Sequence, residues 1–146
     1  MIVEVTATPF DPWQRVQTHQ AQHLSAGRYG ATAVFVGTLR DFNDGDDVSS
    51  MTLEHYPGMT EKYLEQISKD AAARWNLLDT LIVHRVGELH PNDPIVLVAA
   101  WSAHRKDAFE ASRWLMEELK SRAPFWKKER LSEGGERWVE GNTEGY

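Results

Sequence analysis

Between Lys120 and Glu129 the chain reads KSRAPFWKKE, with lysines at 120, 127 and 128. The pattern predicts a helix closed by Pro124, since proline cannot continue the hydrogen-bond ladder. A non-helical basic segment follows, in which Phe125 and Trp126 would anchor the lysines. A lysine ammonium is a compact charge that holds phosphate, and burial near other cations readily lowers its pKa. That permits acid–base work or covalent catalysis by an amine. The same residues also suit a solvated cap whose cations complement the helix dipole. Composition alone leaves both readings open.

Ser102-Ala103-His104-Arg105 closes an apolar strand just ahead of another helix. Strand ends facing a helix N-terminus often bind anions, because free N–H groups point outward there. His104 would add a titratable donor and Arg105 a planar fork for phosphate; otherwise they are a core histidine and a helix-shoulder arginine. Arg40 ends the strand GATAVFVGTLR and opens a loop, where sites gather, although a lone arginine there is often structural. His55 stands in LEHYPGM, in front of a tight turn. The six histidines are scattered, and the one i, i+4 pair, His19/His23, lies on a Gln-rich helix expected to face solvent. No metal site is expected from that distribution. Gly-x-Gly-x-x-Gly, P-loop and G-x-S-x-G strings are absent from the sequence, so nucleotide-binding and serine-hydrolase signatures are missing.

These residues need elements to hold them. IVEVTAT alternates as a strand. Asp11-Pro12 reads as an N-cap with proline at the first helical position, opening a helix that ends near Gly27 with Trp13, Val16, Gln20 and Leu24 on one face. GATAVFVGTL reads as a buried strand, RDFNDGDDV (40–48) as a turn-rich loop, and SMTLEHY as a strand. Thr60 is expected to cap a second helix carrying Tyr63, Leu64, Ile67, Ala71 and Trp75. The strands TLIVHRVGEL and IVLVAAWSA follow, then a helix opened by Asp107, the basic loop, and a short strand near ERWVE. Short joins favour antiparallel pairing and an α+β fold: a mainly antiparallel sheet, about three helices and a smaller β part.

The chain has 146 residues, net charge −6, 41% hydrophobic and 26% charged residues, and no cysteine. Residues 1–146 read as one domain. The N-terminus has neither a basic nor a long apolar stretch, so no signal peptide is expected. No apolar run approaches the roughly 18 residues that span a bilayer. Membrane and nucleic-acid partners are not expected, and a cytoplasmic setting is. Without cysteine, any sulfur handled must arrive on another molecule. Eight of the sixteen Lys and Arg residues lie between 101 and 130, and Asp41, Asp44, Asp46 and Asp47 cluster elsewhere. One basic segment in an acidic chain points to a specific anionic ligand.

The blocks FVGTLRDFNDGDDV, TLEHYPGMTEK, VHRVGEL, SAHRKDAFEA and LKSRAPFWKKE, from about residue 30 to about residue 140, closely resemble the large, catalytic subunit of molybdopterin synthase. The resemblance implies an α/β-hammerhead fold and a homodimer at the centre of a heterotetramer. It implies as partner a small ubiquitin-like subunit whose C-terminal Gly-Gly ends in a thiocarboxylate. The implied activity is a sulfurtransferase one: dithiolene sulfurs are installed in cyclic pyranopterin monophosphate, giving molybdopterin for molybdenum cofactor biosynthesis. No cofactor or metal is implied. The alternative is a non-catalytic module that docks a Gly-Gly tail or a phosphorylated ligand.

By the same resemblance, Lys120 and Lys127 are the active-site lysines. Lys120 would be an acid–base catalyst or covalent relay, and Lys127 would bind the pterin or stabilise developing charge. Thr38, Leu39, Arg40, His104, Arg105, Lys128 and Glu129 would contact substrate. After WVE, where the family often continues in small and basic residues, this chain reads GNTEGY. A basic contact from that tail is expected to be missing or replaced.

Overall fold

A computed structural model describes residues 1–43 and 46–139. The elements run β1 (Ile2–Thr6), α1 (Pro12–His23), β2 (Ala31–Thr38), β3 (Phe42–Asn43), β4 (Asp46–His55), α2 (Met59–Arg74), β5 (Leu77–Arg85), β6 (Gly87–Leu89), β7 (Pro94–Ser102), α3 (Arg105–Arg122), β8 (Phe125–Leu131) and β9 (Glu136–Trp138). This is the expected α+β class.

The first sheet has the order β1-β5-β7-β2, with β1 parallel to β5 and every other pairing antiparallel. Strands β5 and β7 read as near-continuous apolar runs because both faces are covered. Leu81, Val83, Leu97, Ala99 and Trp101 pack on one face with Val16 and Leu24 from the α1 side. Ile82, Val96 and Val98, one residue out of phase, pack on the other face with Leu64 and Ile67 of α2 and Leu115 and Leu119 of α3. That second core continues into Met51 and Leu53 of β4 and Leu89 of β6. It therefore joins the first sheet to a second one, in which β4 pairs with β8 along one side and with β3 and β6 along the other, and β9 extends β8.

Asp11 caps α1 as expected, its carboxylate accepting from the backbone N–H of Trp13 and Gln14. Several other expectations are corrected. The basic segment after Pro124 is not a loop but β8, paired with β4 from Val48 to His55. Much of the 40–48 loop is a hairpin of β3 and β4; Asp44 and Gly45 lie outside the described residues, as does the tail from Glu140. Helix α2 starts at Met59 after Gly58, and α3 at Arg105 rather than Asp107. Thr60 is buried inside α2, where its hydroxyl accepts from the Tyr56 N–H and donates to the Pro124 carbonyl. His19 does not face solvent. It is buried, stacked on Trp101 and bonded to Asp79 at 2.8 Å. Among the described residues no helix is long and apolar enough to cross a membrane.

Gly30 donates its N–H to Ser102, and a side chain there would overlap the Ala103 carbonyl oxygen, a backbone atom. Gly30→Ala is therefore expected to destabilise the fold by about 1–3 kcal/mol. A fall in the urea midpoint checks this, and an unchanged midpoint would contradict it.

Candidate active site

Lys120 lies in the last turn of α3, directly after the core residue Leu119. Pro124 then breaks the helix direction, and the chain returns as β8, where Lys127 stands opposite Leu53 of β4. The Thr60 bond to the Pro124 carbonyl ties this corner to α2. Side chains alternate along β8, so Phe125, Lys127 and Glu129 share the face turned toward α3 and the core. Lys120 and Lys127 thus meet across a cavity of about 180 Å³, lined also by Leu53, His84, Leu119, Ser121, Ala123 and Phe125.

Two amines that share one partly buried cavity cannot both keep their protons easily. Burial pushes the Lys120 ammonium down to about 7, helped by the neighbouring Lys127 charge and by a hydrogen bond with Lys127. Burial also lowers Lys127, but there the bond to Lys120 and the Glu129 carboxylate act the other way. Lys127 is therefore the member that keeps its charge, donating to a Lys120 amine that is close to neutral. Glu129 is itself buried and bonded to the Nε–H of Arg137 at 3.0 Å.

Motif and spacing alone do not mark His84 as a site residue. It lies on β5, accepts no solvent contact to speak of, and stacks on Phe125 with ring centroids 3.9 Å apart. Burial holds its pKa down to about 3; the Arg85 carbonyl opposes this, and the charges of Lys120, Lys127 and His55 add to it. One signal was available: a titratable residue inside the apolar run LIVHRV is unusual enough to ask for a reason.

The remaining candidates are spread out. Thr38 ends β2, and Leu39 and Arg40 follow it; Leu39 is buried in the same core as Leu119, while Thr38 and Arg40 are exposed. Lys128 points to the opposite face of β8 from Lys127, 2.6 Å from Glu136 and over the Trp138 ring. His104 and Arg105 sit exposed at the start of α3. Fifteen residues of helix, about 22 Å, separate Arg105 from Lys120. One chain thus brings the two lysines together and leaves His104 and Arg105 at the far end.

The profile of a family described as "MoaE protein" matches residues 5–122. The molybdopterin synthase catalytic subunit of Pseudomonas aeruginosa is 52% identical over 141 residues, 97% of this chain and 91% of that protein. The chain belongs to the MoaE family. Among solved structures, molybdopterin synthase from Staphylococcus aureus superposes with TM-score 0.83 at 33% identity, covering 94% of this chain and 96% of that one. A complex of subunits 1 and 2 of molybdopterin-converting factor from Helicobacter pylori superposes with TM-score 0.78 at 19% identity, over 94% of this chain and 89% of that one. At that identity the likeness shows the fold alone. The MoaE match includes Lys120 and ends before Lys127.

The lysine pair has a thermodynamic signature. Between about pH 7 and the ordinary lysine value of 10.5, the unfolded chain binds a proton at Lys120 that the folded chain does not. Stability attributable to this group therefore rises with pH across that window. Lys120→Met is expected to be more stable than the native protein at pH 7, by roughly 1–3 kcal/mol. The gap should close toward pH 10.5. Urea unfolding at several pH values checks it, and a pH-independent difference would contradict it.

Proposed function

We propose that this MoaE-family chain is the catalytic subunit of a molybdopterin synthase. It moves sulfur from the C-terminal thiocarboxylate of a small ubiquitin-like subunit to cyclic pyranopterin monophosphate, forming the dithiolene of molybdopterin. One observation carries the reading: a near-neutral Lys120 amine faces a charged Lys127 in a shared cavity. The names of the Pseudomonas and Staphylococcus relatives support it.

The division of labour follows from the chemistry. A thiocarboxylate is already an anionic nucleophile, so no base is needed to generate it. The task is to hold two anions, tail and substrate, that repel one another. Lys127 supplies a fixed positive charge where negative charge develops. Lys120, with its pKa near neutrality, can take and return a proton, or use its amine covalently. A docking module has no use for a buried amine held at about 7. The reading places the work in the cytoplasm, where reduced sulfur carriers persist.

His104 and Arg105 join this site only if a second copy supplies them, because the length of α3 separates them from Lys120 within one chain. A two-fold dimer that sets the start of one α3 beside the end of the other gives each cavity a borrowed anion-binding pair. The small subunits then occupy the two ends, making a heterotetramer. Arg40, at the Lys120 end of the first sheet, contributes from its own chain.

The test is reconstitution with a thiocarboxylated small subunit and cyclic pyranopterin monophosphate, reading molybdopterin as its fluorescent oxidised derivative. Product is expected with the native chain and should fall at least 100-fold with Lys120→Ala. No product from the native chain, with the small subunit bound, would overturn the reading. Lys120→Ala and Arg105→Ala, each inactive alone, are expected to regain activity when refolded together, at about a quarter of the sites. Failure of mixed dimers to recover would contradict the shared site.

A further inference from the structure

The His84 ring lines the lysine cavity with its orientation already settled. Nδ1 lies 2.7 Å from the Arg85 carbonyl, which can only accept, so Nδ1 carries the hydrogen. Nε2 is then a bare lone pair. It has no hydrogen-bond partner among the described residues. Stacking on Phe125 keeps the ring from turning. Of the other polar groups on the cavity wall, Ser121 donates its hydroxyl to the Glu117 carbonyl, and Lys127 offers donors only. With Lys120 set aside as the proton acceptor, His84 Nε2 is the buried side-chain acceptor on the wall; Ser121 Oγ, which can also accept, stands on its exposed rim.

Sulfur transfer ends in a hydrolysis, for which a second acceptor can aim the water molecule. A thiocarboxylate that attacks carbon through sulfur leaves the tail joined to the pterin as a thioester. The tail is released only when oxygen replaces sulfur on the acyl carbon. Resting on the function proposed above, we propose that His84 orients, through Nε2, the water molecule that cleaves this thioester. The water oxygen bonds to the acyl carbon, the carbon–sulfur bond breaks, and its electron pair leaves on the pterin sulfur as a thiolate. One water proton passes to the Lys120 amine. The other, directed at Nε2 during attack, stays on the new carboxyl group, which then ionises to solvent. No oxidation state changes, and water is the sole co-reactant. His84 gains no proton, as befits a ring held neutral; it is a positioning residue.

The experiment follows the small subunit by intact mass during turnover with the substrate. His84→Asn can keep the bond to the Arg85 carbonyl but loses Nε2, and His84→Gln reaches toward the Nε2 position. His84→Asn is expected to slow product release at least tenfold and to accumulate small subunit bearing the pterin as a hydroxylamine-labile adduct. His84→Gln should recover part of the rate. Native turnover in His84→Asn, or slow turnover without the adduct, would overturn the assignment while leaving the sulfur-transfer reading intact. An inactive native protein in the same assay would overturn both. Nitrogen-15 NMR of the native protein gives a check that needs no variant: the Nδ1–H tautomer is expected, and an Nε2–H tautomer would overturn the proposal.

Discussion

The structure around this site depends on two amines made to share one partly buried cavity that disfavours two charges. Neither lysine would choose the place. Lys120 is carried there by Leu119, whose burial in the main core fixes the last turn of α3. Lys127 is carried there by the register of β8 on β4. The Pro124 corner sets the distance between them, and Thr60 of α2 holds that corner by its carbonyl. Hydrophobic burial thus does work against electrostatics, and the result is a proton held loosely enough to be moved near pH 7.

The acidic surplus elsewhere in the chain fits this arrangement. A net charge of −6 disfavours nonspecific contact with polyanions, while the cavity keeps its own positive potential. Glu129 tempers that potential without quenching it. Its carboxylate is taken up by Arg137 on β9, so it supports the Lys127 charge from behind rather than competing in the cavity.

Much of this was legible in the residues. Asp11-Pro12 announces α1, and the apolar runs of β5 and β7 announce strands, whose coverage on both faces the fold supplies. The string KSRAPFWKKE points to the lysines, two of which, Lys120 and Lys127, the fold gathers into one cavity. What stayed hidden was settled by partners distant in sequence. FWKKERL looks like a solvated basic loop because its pairing with β4 and the Glu129–Arg137 bond exist only once the second sheet forms. His19 looked exposed on a polar helix because Asp79, sixty residues away, and Trp101 supply its burial. His84 is hidden for the same reason: only packing brings its ring to Phe125 and the lysine cavity.

Direct titration tests whether the fold forces Lys120 to surrender its proton near neutrality while Lys127 keeps its own. Heteronuclear NMR of the lysine side-chain amines, with Lys120 assigned by its disappearance in Lys120→Arg, reads the two protons separately. The Lys120 signal is expected to titrate at about 7, and Lys127 above it. Lysines that all titrate near the ordinary value of about 10.4 would contradict it.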